Sequence, residues 1–403
     1  MRRVPLAPIL LALVGATFLG WAELVGYAWT DYELANEKPF RALVHGQLGA
    51  FFDSAPIDGP SLLLRAPFAL LSWIWGAGDM AIYRLVAVPG LLAGAILGVV
   101  LWAERARLYP LARYRNVFLL LAAANPVMLI ALRIGHPEEL FGAVLCVAAV
   151  LAALGNRPTL AGLLLGVAIG NKAWAVLAVG PVLLALGEGR RRALAIAVVV
   201  AGCIVAPFML SGSREEVTSA SSTGGVFQPW QVFWFFGSQV DQVAGFFGVV
   251  HEDFRTPPAW AGRLSHPLVV ALGFLVPVVW WLRHRGRRAT SHDALLMLAL
   301  LLLARCVFDT ANNAYYHLPF LMALLMWEAR TRSAPPVYTL AASAWIWLSM
   351  DELRADLAPD LQSLIYLAWA LPALVVMTRA LVSRGERRAA QPTAARFQPI
   401  RSV

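Results

Sequence analysis

Charge is scarce in this chain. Only 14% of its 403 residues are Asp, Glu, Lys or Arg, and 59% are hydrophobic. A water-soluble domain carries about 25% charged residues, so the composition excludes a freely soluble globular domain. Cysteine is scarce as well. Cys146, Cys203 and Cys306 all lie inside apolar runs, which excludes a disulfide framework and leaves them as small buried hydrophobes. Lysine is rarest of all, with Lys38 and Lys172 alone against 31 arginines. No Walker motif, Rossmann glycine pattern, HExxH or GxSxG occurs in a supporting context, so nucleotide-driven and serine-hydrolase chemistries have no foothold. No internal repeat is visible.

What the chain does have is a succession of apolar runs, each about 18 to 25 residues long and able to span a hydrocarbon core as a helix. Lipid offers backbone N–H and C=O groups no partners, so helices are the solution. The fold class is therefore all-α, a polytopic transmembrane helical bundle. The net charge of +9 does not make it a nucleic-acid binder, because the arginines sit in short loops between apolar runs, the positive-inside signature. Arg2 and Arg3 precede an apolar stretch to Trp29 that is too long for a signal-peptide core, so it is read as an uncleaved first span.

Placing basic loops in the cytoplasm gives about twelve membrane segments, with both termini inside. The first external loop, 30–78, is polar and acidic, and its stretch 61–75 is read as an amphipathic interfacial helix. Arg105, Arg107, Arg113 and Arg115 mark the next cytoplasmic loop. The run 160–186 is broken at Gly170-Asn171-Lys172, and the position of Arg190, Arg191 and Arg192 predicts a hairpin of 160–169 and 173–186 that returns to the cytoplasm. A second long external loop covers 211–265. Its aromatic stretch Phe227–Phe236 predicts either an interfacial helix walling a lipid-tail groove or an aromatic belt. The transmembrane domain covers 1–383, and 384–403 reads as a disordered cytoplasmic tail.

Several polar residues stand out against this background. Asp31 and Glu33 open the first external loop. They read as a general base with a helper acid for an acceptor hydroxyl, as a site for a divalent cation, or as an acidic cap on the first span. Lys172 interrupts an apolar stretch, where a charge costs about 2.5–3.5 kcal/mol on insertion scales. It suits a phosphate as a point charge, or else snorkels to the interface. Arg305 and Asp309 are four apart, the spacing of an internal ion pair or of a phosphate contact with its orienting acid. Asn313, Tyr316, His317 and Trp230 offer amide, hydroxyl and aromatic groups suited to a sugar. His136 and Glu138 belong to Gly-His-Pro-Glu, which shares the outer side with Asp31.

The order of these parts resembles the GT-C superfamily of polytopic glycosyltransferases, and within it bacterial members that use a polyprenyl-phosphate sugar, such as mannosyltransferases. The likeness is carried by the acid-led first external loop, Ile82-Tyr83-Arg84-Leu85, GHPEEL at 135–140 and AGLLLGVAIGNKAW at 161–174. It implies that Asp31 deprotonates the acceptor hydroxyl, with inversion at the anomeric carbon, while Lys172 and Arg305 neutralise the leaving phosphate. Tyr32 separates the two acids that stand adjacent in many members, which leaves the part of Glu33 and any metal requirement open. The implied partners are a polyprenyl-phosphate sugar, a lipid or glycan acceptor and membrane lipids. A transporter or flippase of a lipid-linked or polar solute is the alternative, and it predicts movement of a substrate without bond formation.

Overall fold

The computed structural model describes residues 5–26, 31–56, 58–111, 113–215, 227–244 and 250–389. The apolar runs form helices α1 (Leu6–Gly26), α2 (Glu37–Val44), α3 (Leu48–Asp53), α4 (Pro60–Leu70), α5 (Asp79–Leu108), α6 (Arg115–Ala123), α7 (Pro126–Ile134), α8 (Pro137–Leu154), α9 (Pro158–Asn171) and α10 (Val179–Ala185). They continue through α11 (Arg190–Met209), α12 (Ala259–Arg283), α13 (Ser291–Phe308), α14 (Leu318–Thr331), α15 (Val337–Trp347) and α16 (Pro359–Ala389). Among the described residues, seven stretches are long and apolar enough to cross a membrane: α5, α6 with α7, α8, α11, α12, α13 and α16 to Val382. Shorter apolar helices lie at Leu6–Ala22, Pro158–Asn171 and Ala173–Ala185. The chain is thus an all-α polytopic membrane protein.

Burial follows composition. Every residue of α13 from His292 to Val307 is buried, as an all-round apolar helix requires. By contrast α11, α12 and α16 leave Val198, Val199, Phe274, Leu275, Val375 and Val376 exposed, the surface that lipid tails cover. Between α6 and α7 the span breaks at Asn125-Pro126. The Asn125 side chain accepts from Val127 N–H at 3.0 Å, capping α7, and donates to Ser343 Oγ at 2.9 Å. A buried amide so placed has its needs met internally.

The 158–186 stretch turns back on itself. Asn156 Oδ1, just before α9, accepts from Gly187 and Glu188 N–H at 3.2 and 3.4 Å, just after α10. The Arg288 guanidinium donates to the carbonyls of Ala153, Leu154 and Ala185, joining both feet of the hairpin. Helix α9 has 14 residues, roughly 21 Å of rise, so its tip at Lys172 stops short of a full crossing. Asn171 Nδ2 donates to Glu138 C=O at 2.9 Å, which sets that tip beside the first turn of α8. The ascending arm is glued to α11 by a glycine stripe: a Cβ at Gly162, Gly166 or Gly170 would meet Ala193 O at 2.4 Å, Val200 Cβ at 2.7 Å or Ile204 Cδ1 at 2.7 Å. Small residues four apart let two backbones approach where lipid supplies no hydrophobic drive.

Two expectations need correction. The stretch Phe227–Phe236 is no interfacial helix; it is irregular apart from one 3₁₀ turn at Trp234–Phe236, and it buries Phe227, Trp230, Phe233 and Trp234. Its side chains fill the space under a two-stranded antiparallel hairpin, β1 (Ser238–Ala244) and β2 (Val250–Thr256), with Ser238 opposite Thr256. Trp234 packs on Phe254 and Phe227. At the C-terminus, α16 continues to Ala389, through the start of the expected disordered tail; 390–403 lie outside the described residues. Residues 61–75 fold as α4 followed by a 3₁₀ turn at Leu71–Trp75. The inward face of α4 carries Arg65, while Leu70, Leu71, Trp73, Ile74 and Trp75 are exposed.

Gly162→Ala pushes a methyl onto a backbone carbonyl that cannot rotate away. It should cost about 1–3 kcal/mol, read as a lower unfolding midpoint in detergent. Gly202→Ala, with nothing within 4 Å of the new methyl, should keep the midpoint or raise it slightly, since alanine suits a helix interior better than glycine.

Candidate active site

The GHPEEL segment joins the first loop to the hairpin tip. Gly135 ends α7 with φ +108°, and a Cβ there would lie 2.6 Å from Tyr32 N. Only glycine takes that conformation and that approach together, and the result is His136 beside Asp31. Pro137 starts α8 and places Glu138 and Glu139 in its first turn, where carboxylates suit the positive helix end. Neighbours on a helix point about 100° apart, so the two acids face different partners.

Glu138 is the hub. His136 donates from Nδ1 to Glu138 Oε1 at 2.7 Å and from Nε2 to Asp31 Oδ2 at 2.8 Å. Lys172 Nζ stands 3.0 Å from the same Oε1 and 3.1 Å from Asp58 Oδ2. Arg65, on α4, lies 3.2 Å from Glu138 Oε2 and donates to Ser61 Oγ at 2.8 Å. Glu139 faces the other way, accepting from Trp174 Nε1 at 3.2 Å and pairing with Arg305 at 3.6 Å. The Arg305 guanidinium is wedged between the rings of Tyr316 and Trp174, 4.4 and 5.0 Å from their centres.

Both ring nitrogens of His136 therefore face carboxylates, which calls for the doubly protonated ring. Burial opposes that charge, but Glu138 beside it and the hydrogen bonds to Asp31 and Glu138 outweigh burial and raise its pKa to about 10. Tyr315 stacks on its face at 4.4 Å. With His136 charged, the acids Asp31, Asp58, Glu138 and Glu139 are matched by Arg65, His136, Lys172 and Arg305. Exposure falls inward along this chain, from 36% for the Asp31 side chain to 12% for His136 and none for Glu138.

Of the residues singled out from the sequence, Asp31, His136, Glu138 and Lys172 are brought together, with Arg305 one carboxylate further and Tyr316 against it. Glu33 is exposed and lines a separate surface groove with Glu37 and His45. The Arg305–Asp309 pair does not form. Asp309 lies past the end of α13 in extended backbone, so helical spacing no longer applies, and its carboxylate lies 3.6 Å from His266. Asn313 caps a 3₁₀ turn through Ala314 N–H, and His317 is buried against Tyr366 Oη at 3.0 Å. Trp230 is fully buried, its carbonyl accepting from Asn312 Nδ2 at 2.6 Å. The sequence reading passed over Asp58, Arg65 and Glu139 as partners. Arg65 carried a signal, a charge inside an apolar segment.

The model of glycosyltransferase family 87 matches residues 59–308. The chain belongs to this family. It is a membrane-embedded glycosyltransferase of the GT-C type, which implies a sugar donor and a glycan or lipid acceptor. No curated protein and no solved structure matches the chain. The matched span carries Arg65, His136, Glu138, Glu139, Lys172 and Arg305; Asp31 and Asp58 come from the chain before it.

A metal ion in this family 87 site can be tested against the ligands present. Asp58, His136 and Glu138 each bring one ligand atom within 4.8 Å of the others. The Lys172 ammonium, however, already lies against the oxygens of Asp58 and Glu138, and His136 is turned to donate, not to ligate. Asp31 and Glu33 do not converge either, so neither set fits a divalent cation and no step is drawn through one.

Lys172→Met leaves Glu138 and Asp58 short of a buried partner. The expected loss is about 3–5 kcal/mol, against less than about 1 kcal/mol for Arg41→Ala, whose half-exposed side chain pairs with Glu37 and Asp79. Thermal unfolding in detergent separates the two. The raised His136 pKa also carries a sign. Its stabilisation is complete below the ordinary value of 6.5 and fades as pH rises through about 10. The gap in unfolding midpoint between wild type and His136→Gln should be widest near about pH 6 and close toward about pH 10.

Proposed function

We propose that the chain is an inverting glycosyltransferase that moves a sugar from a polyprenyl-phosphate donor to an acceptor hydroxyl at the external face of the cytoplasmic membrane. The observation that carries this reading is Asp31, the most exposed carboxylate of the cluster, oriented by His136. Asp31 takes the acceptor proton while the acceptor oxygen attacks the anomeric carbon. The bond from that carbon to the phosphate oxygen breaks on the opposite face, its electron pair stays on the phosphate, and the polyprenyl phosphate departs. One displacement with one base gives inversion.

The surroundings support the assignment. His136 holds Asp31 by one nitrogen and is itself held by Glu138 and by the face of Tyr315, so the base is fixed before substrate arrives. Lys172 and Arg305 bring positive charge to the pocket, shared with Glu138, Asp58 and Glu139. The arginine-rich loops at the other ends of these helices support the external side for this site. The Trp and Ile side chains of Trp73-Ile74-Trp75, exposed next to α4, suit the outer lipid interface through which a polyprenyl chain enters.

Asp31→Asn keeps the shape and the hydrogen bond from His136 but removes the base. Transfer from a radiolabelled polyprenyl-phosphate sugar should fall by about 10²- to 10⁴-fold with the unfolding midpoint retained. Full transfer by that variant would remove Asp31 from the reaction.

A further inference from the structure

The cations that touch the Asp31–Glu138 cluster already have carboxylate partners. Arg65 pairs with Glu138, Lys172 with Glu138 and Asp58, and Arg305 with Glu139. A phosphate placed against any of them competes with an acid that the protein holds there permanently. A leaving phosphate gains more from a guanidinium without such a partner.

Arg354 is in that position. It lies in the loop after α15, the residue is exposed at the surface, and its guanidinium carbon stands 5.1 Å over the ring of buried Trp230, which desolvates it on that side. Asp351, the carboxylate whose charge reaches Arg354, is ion-paired with Arg133. Among the described residues no carboxylate forms an ion pair with Arg354. Two ties join this region to the chain segments that lead into the site. Asp351 bonds to Arg133, three residues before His136. Trp230 is bonded through its carbonyl to Asn312, three residues before Tyr315, the ring stacked on His136.

We infer that Arg354 receives the donor phosphate, an inference that rests on the lipid-phosphate reading above. A guanidinium offers paired N–H donors that match two phosphate oxygens. Trp230 beneath it holds the side chain through a cation–π contact, so less freedom is lost when the anion arrives. The division of labour is then clear: Arg65, Lys172 and Arg305 fix the carboxylates, and Arg354 takes up the charge that the breaking anomeric bond leaves on phosphate.

The test measures binding of polyprenyl phosphate to detergent-solubilised full-length protein, alongside transfer kinetics, for wild type, Arg354→Ala and Arg354→Lys. Phosphatidylglycerol serves as the competing lipid phosphate. Arg354→Ala should weaken binding of polyprenyl phosphate about ten- to hundredfold, raise KM for the donor and keep the wild-type unfolding midpoint. Arg354→Lys should recover part of the affinity, and Asp31→Asn should bind as wild type does while failing to transfer. Equal binding by Arg354→Ala and wild type would overturn the inference and leave the donor reading intact. Equal competition by phosphatidylglycerol would overturn it in favour of a general lipid-headgroup contact. A wild type that binds no polyprenyl phosphate would overturn both.

Discussion

A carboxylate with no exposure to water holds this site together. Glu138 meets His136 and Lys172 through one oxygen and Arg65 through the other. An isolated ion at that depth is untenable, since desolvation alone costs several kcal/mol even after relaxation. Its three cations come from three pieces of chain: α4, the turn into α8, and the tip of the hairpin. Each piece is held in place because removing it strands a buried charge. The orientation of Asp31 is a consequence, since the imidazole that positions it is itself positioned by Glu138.

That arrangement depends on close packing of backbone, and glycine supplies it. A Cβ at Gly142 would strike Asn171 Nδ2 at 2.8 Å and Trp174, and one at Gly90 would strike Pro137 O at 2.6 Å. The first clearance admits the hairpin tip to the side of α8; the second lets α5 seat the start of α8. In lipid, where apolar burial between helices contributes little, such approaches and the hydrogen bonds they permit decide the packing. The glycine stripe on α9 and the buried ion cluster are thus parts of one device. The stripe sets how far Lys172 reaches, and the cluster makes that reach favourable.

The legible parts of the sequence were those where composition opposes environment. Lys172 in an apolar run, the Gly-His-Pro-Glu turn and the acid-led first loop each announced themselves, and the structure brings Asp31, His136, Glu138 and Lys172 together. The hairpin was legible because arginine placement forbade a full crossing, and Asn156 and Arg288 join its two feet. Spacing misled where the helix had ended. Asp309 reads as four residues from Arg305, but an extended residue carries no helical neighbour relation. The aromatic Phe227–Phe236 stretch misled for a similar reason: its rings pack in three dimensions against β2 and α16, through contacts such as Trp234 to Asp360, and no periodicity encodes that. Asp58 and Glu139 had carboxyl groups like any others until their partners from distant segments arrived.

The distribution of exposure separates the enclosed acids from the one proposed as the base. A base has to accept a proton and then release it, and release needs water or an open acceptor nearby. Glu138 has neither, because both its oxygens face cations and no solvent reaches it; protonating it would break up the cluster. Glu139 is equally enclosed between Trp174 and Arg305. Asp31 alone among the four has a side chain more than a third exposed and a single protein partner in the cluster, leaving one oxygen for an acceptor hydroxyl. On the proposed reading, chemistry at the mouth and charge balance in the interior are therefore different tasks. That reading places them on different residues, linked by one imidazole that holds Asp31 without sharing its exposure.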